Sequence, residues 1–178
     1  MEQHIVKGFD RDLDKIKDHI NKIAGLVESQ LAYSYQSLNE RDILIAEKVI
    51  ERDKKIDKLY QELLDISIQL FALRQPLAID LRYVISSIKI ASDLEKIGDQ
   101  AKNIAKASRW LSKLPINQKV LSVDSLFDLV NSNFRKVVNS FNEEDLKKVK
   151  AIWLNDAEVN KCYDILFRET LTYMLEDT

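Results

Sequence analysis

The chain has 178 residues, of which 46% are hydrophobic and 31% are charged, and its formal net charge at pH 7 is -2. This near balance of basic and acidic residues gives no general attraction for nucleic acid, so we expect no nucleic-acid partner. With three Gly and two Pro, the sequence favours long helices over a many-turned β fold. No run approaches the ~20 apolar residues of a membrane span, and the N-terminus lacks the apolar stretch of a signal peptide. We therefore expect an all-α cytoplasmic protein without direct membrane insertion.

Apolar residues recur at three- and four-residue spacing along five segments, which predicts five helices. The first carries an apolar column that starts at Leu13. Asn39 is expected to cap the second helix, and Pro76 suits the opening turn of the third. The fourth begins near Val123, and Asn142 is expected to cap the fifth, which continues toward the C-terminus. Because the connections are short, the first three helices are predicted to form an antiparallel, up-down-up bundle.

The sequence also contains an ungapped internal repeat at an offset of 103 residues. Val27 corresponds to Val130, and the segment 38–42 corresponds to the segment 141–145. Further matches are Asp53 with Asp156, Lys58 with Lys161, Tyr60 with Tyr163 and Leu63 with Leu166. A register kept across a turn and two helices favours duplication of a helical unit.

The repeat predicts two tandem three-helix bundles of unequal length. The position that would correspond to Leu77, at the start of the third helix, lies beyond the final residue Thr178. We therefore expect a complete bundle at residues 1–113 and a second bundle at residues 117–178 that lacks its last helix. Without that helix, several apolar residues of the second bundle have no cover: Phe134, Phe141, Trp153 and Phe167. Self-association, as a homodimer, would cover such a face.

Four carboxylates interrupt or flank the apolar columns of the second and third predicted helices. Asp53 and Asp99 lie equally far from Pro76 on either side, and so do Asp57 and Glu95. A hairpin that turns at Pro76 therefore brings the four carboxylates to one level. Like charges at this spacing repel one another, and burial raises their pKa values unless a cation or hydrogen-bond donors compensate. The pattern predicts a metal site built from oxygen ligands.

The ligand types restrict the metal. Oxygen ligands suit hard cations such as magnesium or manganese, or carboxylate-bound iron. Neither His4 nor His19 fits the pattern, so a structural Cys/His zinc site is excluded, and the Glu-x-x-His pairs of di-iron oxidases are missing. The alternative is that the acids lie on solvated helix faces and pair with nearby lysines, namely Lys54, Lys55, Lys58 and Lys96.

Two segments, RQPLAIDLR at residues 74–82 and ISSIKIASDLEKIGDQAKNIA at residues 85–105, closely resemble the PhoU family of phosphate-uptake regulators. The resemblance extends to HIVKGFD at residues 4–10 and LTYMLED at residues 171–177. It implies tandem three-helix bundles whose acidic E/DxxxD motifs hold iron or zinc clusters. The matching metal ligands are Asp53, Asp57, Glu95 and Asp99, with Asp93, Asp156 and Asn160 as weaker candidates. Because Asn160 replaces an acid and the second bundle lacks its third helix, we do not expect a second site of the same composition.

The resemblance further implies an adaptor that is not an enzyme and that restrains phosphate uptake and phosphate-starvation signalling. Its implied partners are the ATPase subunit of the phosphate ABC transporter and the histidine kinase of the phosphate regulon. A metal-free helical scaffold that associates with itself is the runner-up. A carboxylate-bridged oxidase or hydrolase ranks third, because no His, Ser or Cys has the spacing of a general base or nucleophile.

Overall fold

The structure, a computed structural model, describes residues 2–74, 78–114, 122–154 and 156–176. Within those ranges the regular structure is α-helical, which confirms the predicted fold class. The helices are α1 (Glu2–Glu40), α2 (Ile43–Arg74), α3 (Ala78–Leu111), α4 (Ser122–Glu143), α5 (Leu146–Leu154) and α6 (Asp156–Glu176). None of these helices has both the length and the apolar character that crossing a bilayer requires. The predicted turn at Pro76 lies outside the described residues.

The chain divides into two compact units, Met1–Lys113 and Leu114–Thr178. In the first unit, α1, α2 and α3 each pack against the other two. α2 and α3 run antiparallel, since the lower-numbered Val49 of α2 packs with Ala105 of α3, whereas a later α2 residue, Ile56, faces an earlier α3 residue, Gly98. The first unit is therefore the antiparallel three-helix bundle that the sequence predicts.

Large apolar side chains from α1 and α2 fill the core of the first unit, and α3 contributes mostly small residues. The buried residues of α1 and α2 include Ile16, Ile20, Ile23, Val27, Val49, Ile56, Leu63 and Leu70. Those of α3 include Ala91, Gly98, Ala101 and Ala105. A Cβ atom added to Gly98 would lie 2.9 Å from Cδ1 of Ile56, which is inside the usual carbon–carbon contact distance. The small residues thus let α3 approach the other helices closely.

The turn between α1 and α2 is stabilised by one aspartate. Arg41 has a positive φ of 57°, and the N–H of Asp42 donates to the carbonyl of Ser37 at 3.1 Å, a Schellman-type helix end. Oδ1 of Asp42 then accepts from the N–H groups of Leu44 and Ile45 at 2.7 and 3.1 Å. The residue that caps α2 is therefore Asp42, and the prediction of Asn39 is wrong because α1 continues to Glu40.

The same turn recurs between α4 and α5 at the repeat offset. Glu144 has a φ of 54°, and the N–H of Asp145 donates to the carbonyl of Ser140 at 3.2 Å. Oδ1 of Asp145 accepts from the N–H groups of the second and third residues of α5 at 2.9 and 3.2 Å. Asp145, not Asn142, is thus the cap. The two turns share backbone conformation, hydrogen bonds and capping residue, which supports the duplication.

One side chain links the first of these turns to the end of α3. The Nη2 group of Arg41 donates to the carbonyl of Leu111 at 2.8 Å. Carbonyls in the last turn of a helix have no intrahelical partner, and a cation near them also interacts favourably with the helix dipole. Arg41 therefore closes the C-terminal end of α3.

In the second unit, α4 packs against α5 and α6, which also contact each other. The predicted fifth helix corresponds to α5 and α6, which lie on either side of residue 155, outside the described residues.

The exposure of the apolar residues in the second unit differs in part from the prediction. Phe134 is 9% exposed, so it is covered within the unit, and Phe141 is half-buried. Trp153 and Phe167 are 76% and 53% exposed, as expected. Most of the exposed large apolar residues of the second unit therefore lie on α5 and α6, with Val137 of α4 also exposed.

Candidate metal centre

Asp53 is a buried carboxylate in the apolar seam of α2, with 3% of the residue exposed. Val49 and Ile56, one helical turn on either side, are buried apolar residues, so helix periodicity turns the carboxylate inward. Gln30 of α1 is also 3% exposed, and its Nε2 donates to Oδ1 of Asp53 at 3.2 Å and to the carbonyl of Val49 at 3.3 Å. The carboxylate therefore has one neutral donor from α1.

Lys102 of α3 supplies the second donor to this carboxylate. Its Nζ donates to Oδ1 of Asp99 at 2.6 Å and also to Oδ2 of Asp53, so the ammonium joins α2 to α3. The hydrogen bond to Asp53, and to a smaller extent the one to Asp99, raises the pKa of Lys102 above its ordinary value. The lysine is therefore fully protonated at neutral pH.

Asp57 and Glu95 lie at the edge of the same group. Partial loss of hydration raises the pKa of Asp57; the charges of Asp53 and Asp99 raise it further, and the ammonium of Lys102 partly offsets them. Partial loss of hydration is also the main cause of the raised pKa of Glu95, followed by repulsion from Asp99, Asp57 and Asp53. The four carboxylates are thus close enough for their charges to affect one another. We call Asp53, Asp57, Glu95 and Asp99 the acidic cluster.

The acidic cluster has the composition of a metal site. Four carboxylates lie around one ammonium, and partial burial together with mutual repulsion raises the pKa values of Asp57 and Glu95, so a bound cation would favour their ionised forms. Carboxylate oxygens are the ligands that magnesium, manganese and carboxylate-bound iron prefer. Among the described residues, no three His, Cys, Asp or Glu side chains stand close enough together to hold one ion. The donor set therefore fits a metal, and binding requires the side chains to converge.

The weaker candidates lie apart from the acidic cluster or outside the described side chains. Asp93 is exposed and pairs with Lys96 of the next helical turn at 3.2 Å. Asn160 is an exposed residue of α6, and Asp156 begins α6, with its side chain outside the described residues. His19 lies 3.4 Å from Glu62, about two and a half helical turns along α2 from Asp53, so it does not join the cluster.

Sequence reasoning missed the two donors, Gln30 and Lys102. The lysines considered as partners include Lys96, which pairs with Asp93, and Lys58, which lies 3.7 Å from Glu62. The signals for the two donors are present in the sequence. Gln30 interrupts the apolar seam of α1 as Asp53 interrupts that of α2, and Lys102 follows Asp99 by one helical turn.

Comparison with known proteins identifies the family. The PhoU domain profile matches residues 20–108. A phosphate-specific transport system accessory protein PhoU homolog from Caulobacter vibrioides is 34% identical over 178 residues, which cover 99% of this chain and 77% of that protein. A homolog of the same name from Rhizobium meliloti is 35% identical over 175 residues, 98% of this chain and 74% of that protein.

Two solved structures agree with this assignment. PhoU from Pseudomonas aeruginosa superposes with a TM-score of 0.91 at 29% identity, over 95% of this chain and 81% of that one. The phosphate transport system regulatory protein PhoU from Streptococcus pneumoniae superposes with a TM-score of 0.85 at 27% identity, over 94% and 79% of the two chains. From the matched domain profile and these relatives, the chain belongs to the PhoU family.

Proposed function

We propose that this chain is a regulator of phosphate transport, and more specifically a metal-binding cytoplasmic adaptor that restrains phosphate uptake and phosphate-starvation signalling. Its relatives bear the names of phosphate-specific transport accessory proteins, and their similarity spans nearly the whole chain. We assign it no catalytic step. Its proposed partners are the ATPase subunit of the phosphate ABC transporter and the histidine kinase of the phosphate regulon.

The observation that supports the metal-binding part of the proposal is that four carboxylates interact with one another and with the ammonium of Lys102. Asp53 and Asp57 of α2 and Glu95 and Asp99 of α3 would hold the ion, which we propose to be iron or zinc, with manganese or magnesium as further candidates. A bound cation would supply the positive charge that the cluster lacks and would join α2 to α3. Because the folded chain packs α2 against α3 and the unfolded chain does not, an ion bound across the two helices would stabilise the first unit.

Elemental analysis of the purified protein tests the metal site. The test variant replaces the whole acidic cluster with amides: Asp53→Asn, Asp57→Asn, Glu95→Gln and Asp99→Asn. A matched control carries Asp65→Asn and Asp93→Asn, two exposed acids on the same two helices. We expect metal in the wild type and in the control, and its loss from the test variant. Equal, negligible metal in all three proteins after incubation with Fe²⁺, Zn²⁺ or Mn²⁺ would contradict the site.

The regulatory part of the proposal is tested in cells that lack their own PhoU protein. We expect the wild-type chain to restore repression of a phosphate-starvation promoter in phosphate-rich medium, and we expect the test variant to restore less. Co-purification with the transporter ATPase and with the histidine kinase tests the two partners separately. If the wild-type chain neither represses the promoter nor retains either partner, the adaptor function is wrong.

A metal-free scaffold that associates with itself is the second candidate, and the exposed apolar residues of the second unit favour it. Trp153 and Phe167 are 76% and 53% exposed, and apolar surface of this kind is typical of interaction sites. Light scattering after size exclusion tests this candidate. A homodimer that Trp153→Ser with Phe167→Ser converts to a monomer would support it, and a wild-type monomer at high concentration would count against it.

A further inference from the structure

Lys102 fills the space between the carboxylates of α2 and α3. Its ammonium contacts both Asp53 and Asp99. The side chains of Asp53, Lys102 and Asp99 are 4%, 22% and 41% exposed, respectively. The ammonium thus stands between the buried carboxylate and the one that faces solvent.

A metal ion bound between Asp53 and Asp99 would compete for oxygens that are already in use: Nζ of Lys102 donates to Oδ2 of Asp53 and to Oδ1 of Asp99, and Oδ1 of Asp53 accepts from Gln30. Metal–oxygen bonds are about 2.0 to 2.6 Å long, so an ion on these oxygens would occupy the space that the ammonium of Lys102 fills between the two carboxylates. The positive charges of the ion and the ammonium also repel at such short range. The flexible four-carbon stem of lysine allows its ammonium to move into water.

We infer that Lys102 is an internal competitor of the metal, which holds the oxygens of Asp53 and Asp99 in the metal-free chain and releases them when a metal binds. The inference rests on the metal site proposed above. It has two consequences. A cation must carry enough charge to displace the ammonium, which disfavours monovalent ions such as Na⁺ and K⁺. Metal binding also transfers one positive charge from the cluster to the protein surface.

Isothermal titration calorimetry with Mn²⁺ tests the competition. Lys102→Met keeps the length of the side chain and removes its charge. Lys106→Met, at an exposed position one turn further along α3, is the matched control. We expect Lys102→Met to bind Mn²⁺ about tenfold more tightly than the wild type, or better, and we expect Lys106→Met to match the wild type.

A labelling experiment on the wild-type protein does not depend on how well a variant folds. An amine-acylating reagent followed by mass spectrometry reports the accessibility of each lysine. We expect the labelling of Lys102 to rise several-fold when Mn²⁺ is added, while that of Lys106 stays constant.

The outcomes separate the inference from the proposed function. If Mn²⁺ binds the wild type and Lys102→Met equally, or binds the variant more weakly, and the labelling of Lys102 does not change, then the metal site stands and the competition is wrong. If neither protein binds Mn²⁺, and Zn²⁺ and Fe²⁺ also fail to bind in the same titration, both the metal site and the inference are overturned.

Discussion

Two helical glycines of the first unit, Gly25 and Gly98, allow the close packing of α3 to be tested as a stability difference. Gly25 and Gly98 both lie inside long helices, and neither has a positive φ. A Cβ atom at Gly25 meets nothing within 4 Å, whereas one at Gly98 meets Cδ1 of Ile56 at 2.9 Å. Alanine at either site gains about 1 kcal/mol of helix propensity. At Gly98 this gain is opposed by an overpacking cost of about 1 to 3 kcal/mol, because Ile56 is fully buried.

We therefore expect Gly25→Ala to stabilise the protein by about 1 kcal/mol and Gly98→Ala to leave it unchanged or destabilise it by up to about 2 kcal/mol. Urea denaturation followed by far-ultraviolet circular dichroism measures both free energies of unfolding, and equal slopes would show that the unfolded states are comparable. If Gly98→Ala stabilised the protein as much as Gly25→Ala, α3 would not be in close contact with Ile56, and the packing argument would fail.

Three further predictions follow from single contacts in the first unit. Asp42→Ala removes the cap of α2 and should lower the free energy of unfolding by about 1 kcal/mol in a urea titration. Gln30→Met removes the neutral donor to the buried carboxylate of Asp53 and should cost about 1 to 3 kcal/mol in the same assay. Because the folded state raises the pKa values of Asp57 and Glu95 above 3.8 and 4.5, it binds protons more readily than the unfolded state does. The desolvation of the two ionised carboxylates, together with repulsion within the cluster, therefore destabilises the metal-free protein at neutral pH, and this cost is relieved as the pH falls through the raised pKa values. Asp57→Asn with Glu95→Gln should raise the melting temperature at neutral pH, and the melting temperature of the variant should change less as the pH is lowered from neutral toward the ordinary pKa values of the two acids. An unchanged melting profile would contradict this cost of ionising the two carboxylates.

Helix periodicity was sufficient to predict the bundle and the inward position of Asp53. The apolar spacing on α2 is regular from Val49 to Leu70, so a charged residue in that series had to be buried or to break the helix. The hairpin register then brought Asp99 to the level of Asp53, and the structure shows both in contact with Lys102. These features depend on backbone geometry, which a sequence pattern specifies well.

Helix periodicity did not identify Lys102 as the lysine that pairs with Asp53 and Asp99. Lys54, Lys55, Lys58 and Lys96 are nearer to the acids in sequence than Lys102 is to Asp53, yet a partner is selected by the face of the helix and by the reach of its side chain. The caps failed for a related reason. Asn39 and Asn142 are good capping residues, but the preceding helix continues past each of them to a left-handed residue, and the position of that residue leaves no periodic signal.

Arg41 has two roles in the turn between α1 and α2, one in its backbone and one in its side chain. The backbone requires the left-handed region, which costs a residue other than glycine about 1 to 2 kcal/mol, whereas the end of α3 requires a long cation that reaches the carbonyl of Leu111. Glycine would satisfy the first requirement and fail the second. At Glu144 the repeat keeps the backbone conformation and has the opposite charge. The two copies therefore share the backbone conformation of the turn but differ in its side chain. In the first copy this residue, Arg41, also connects the turn between α1 and α2 to the end of α3.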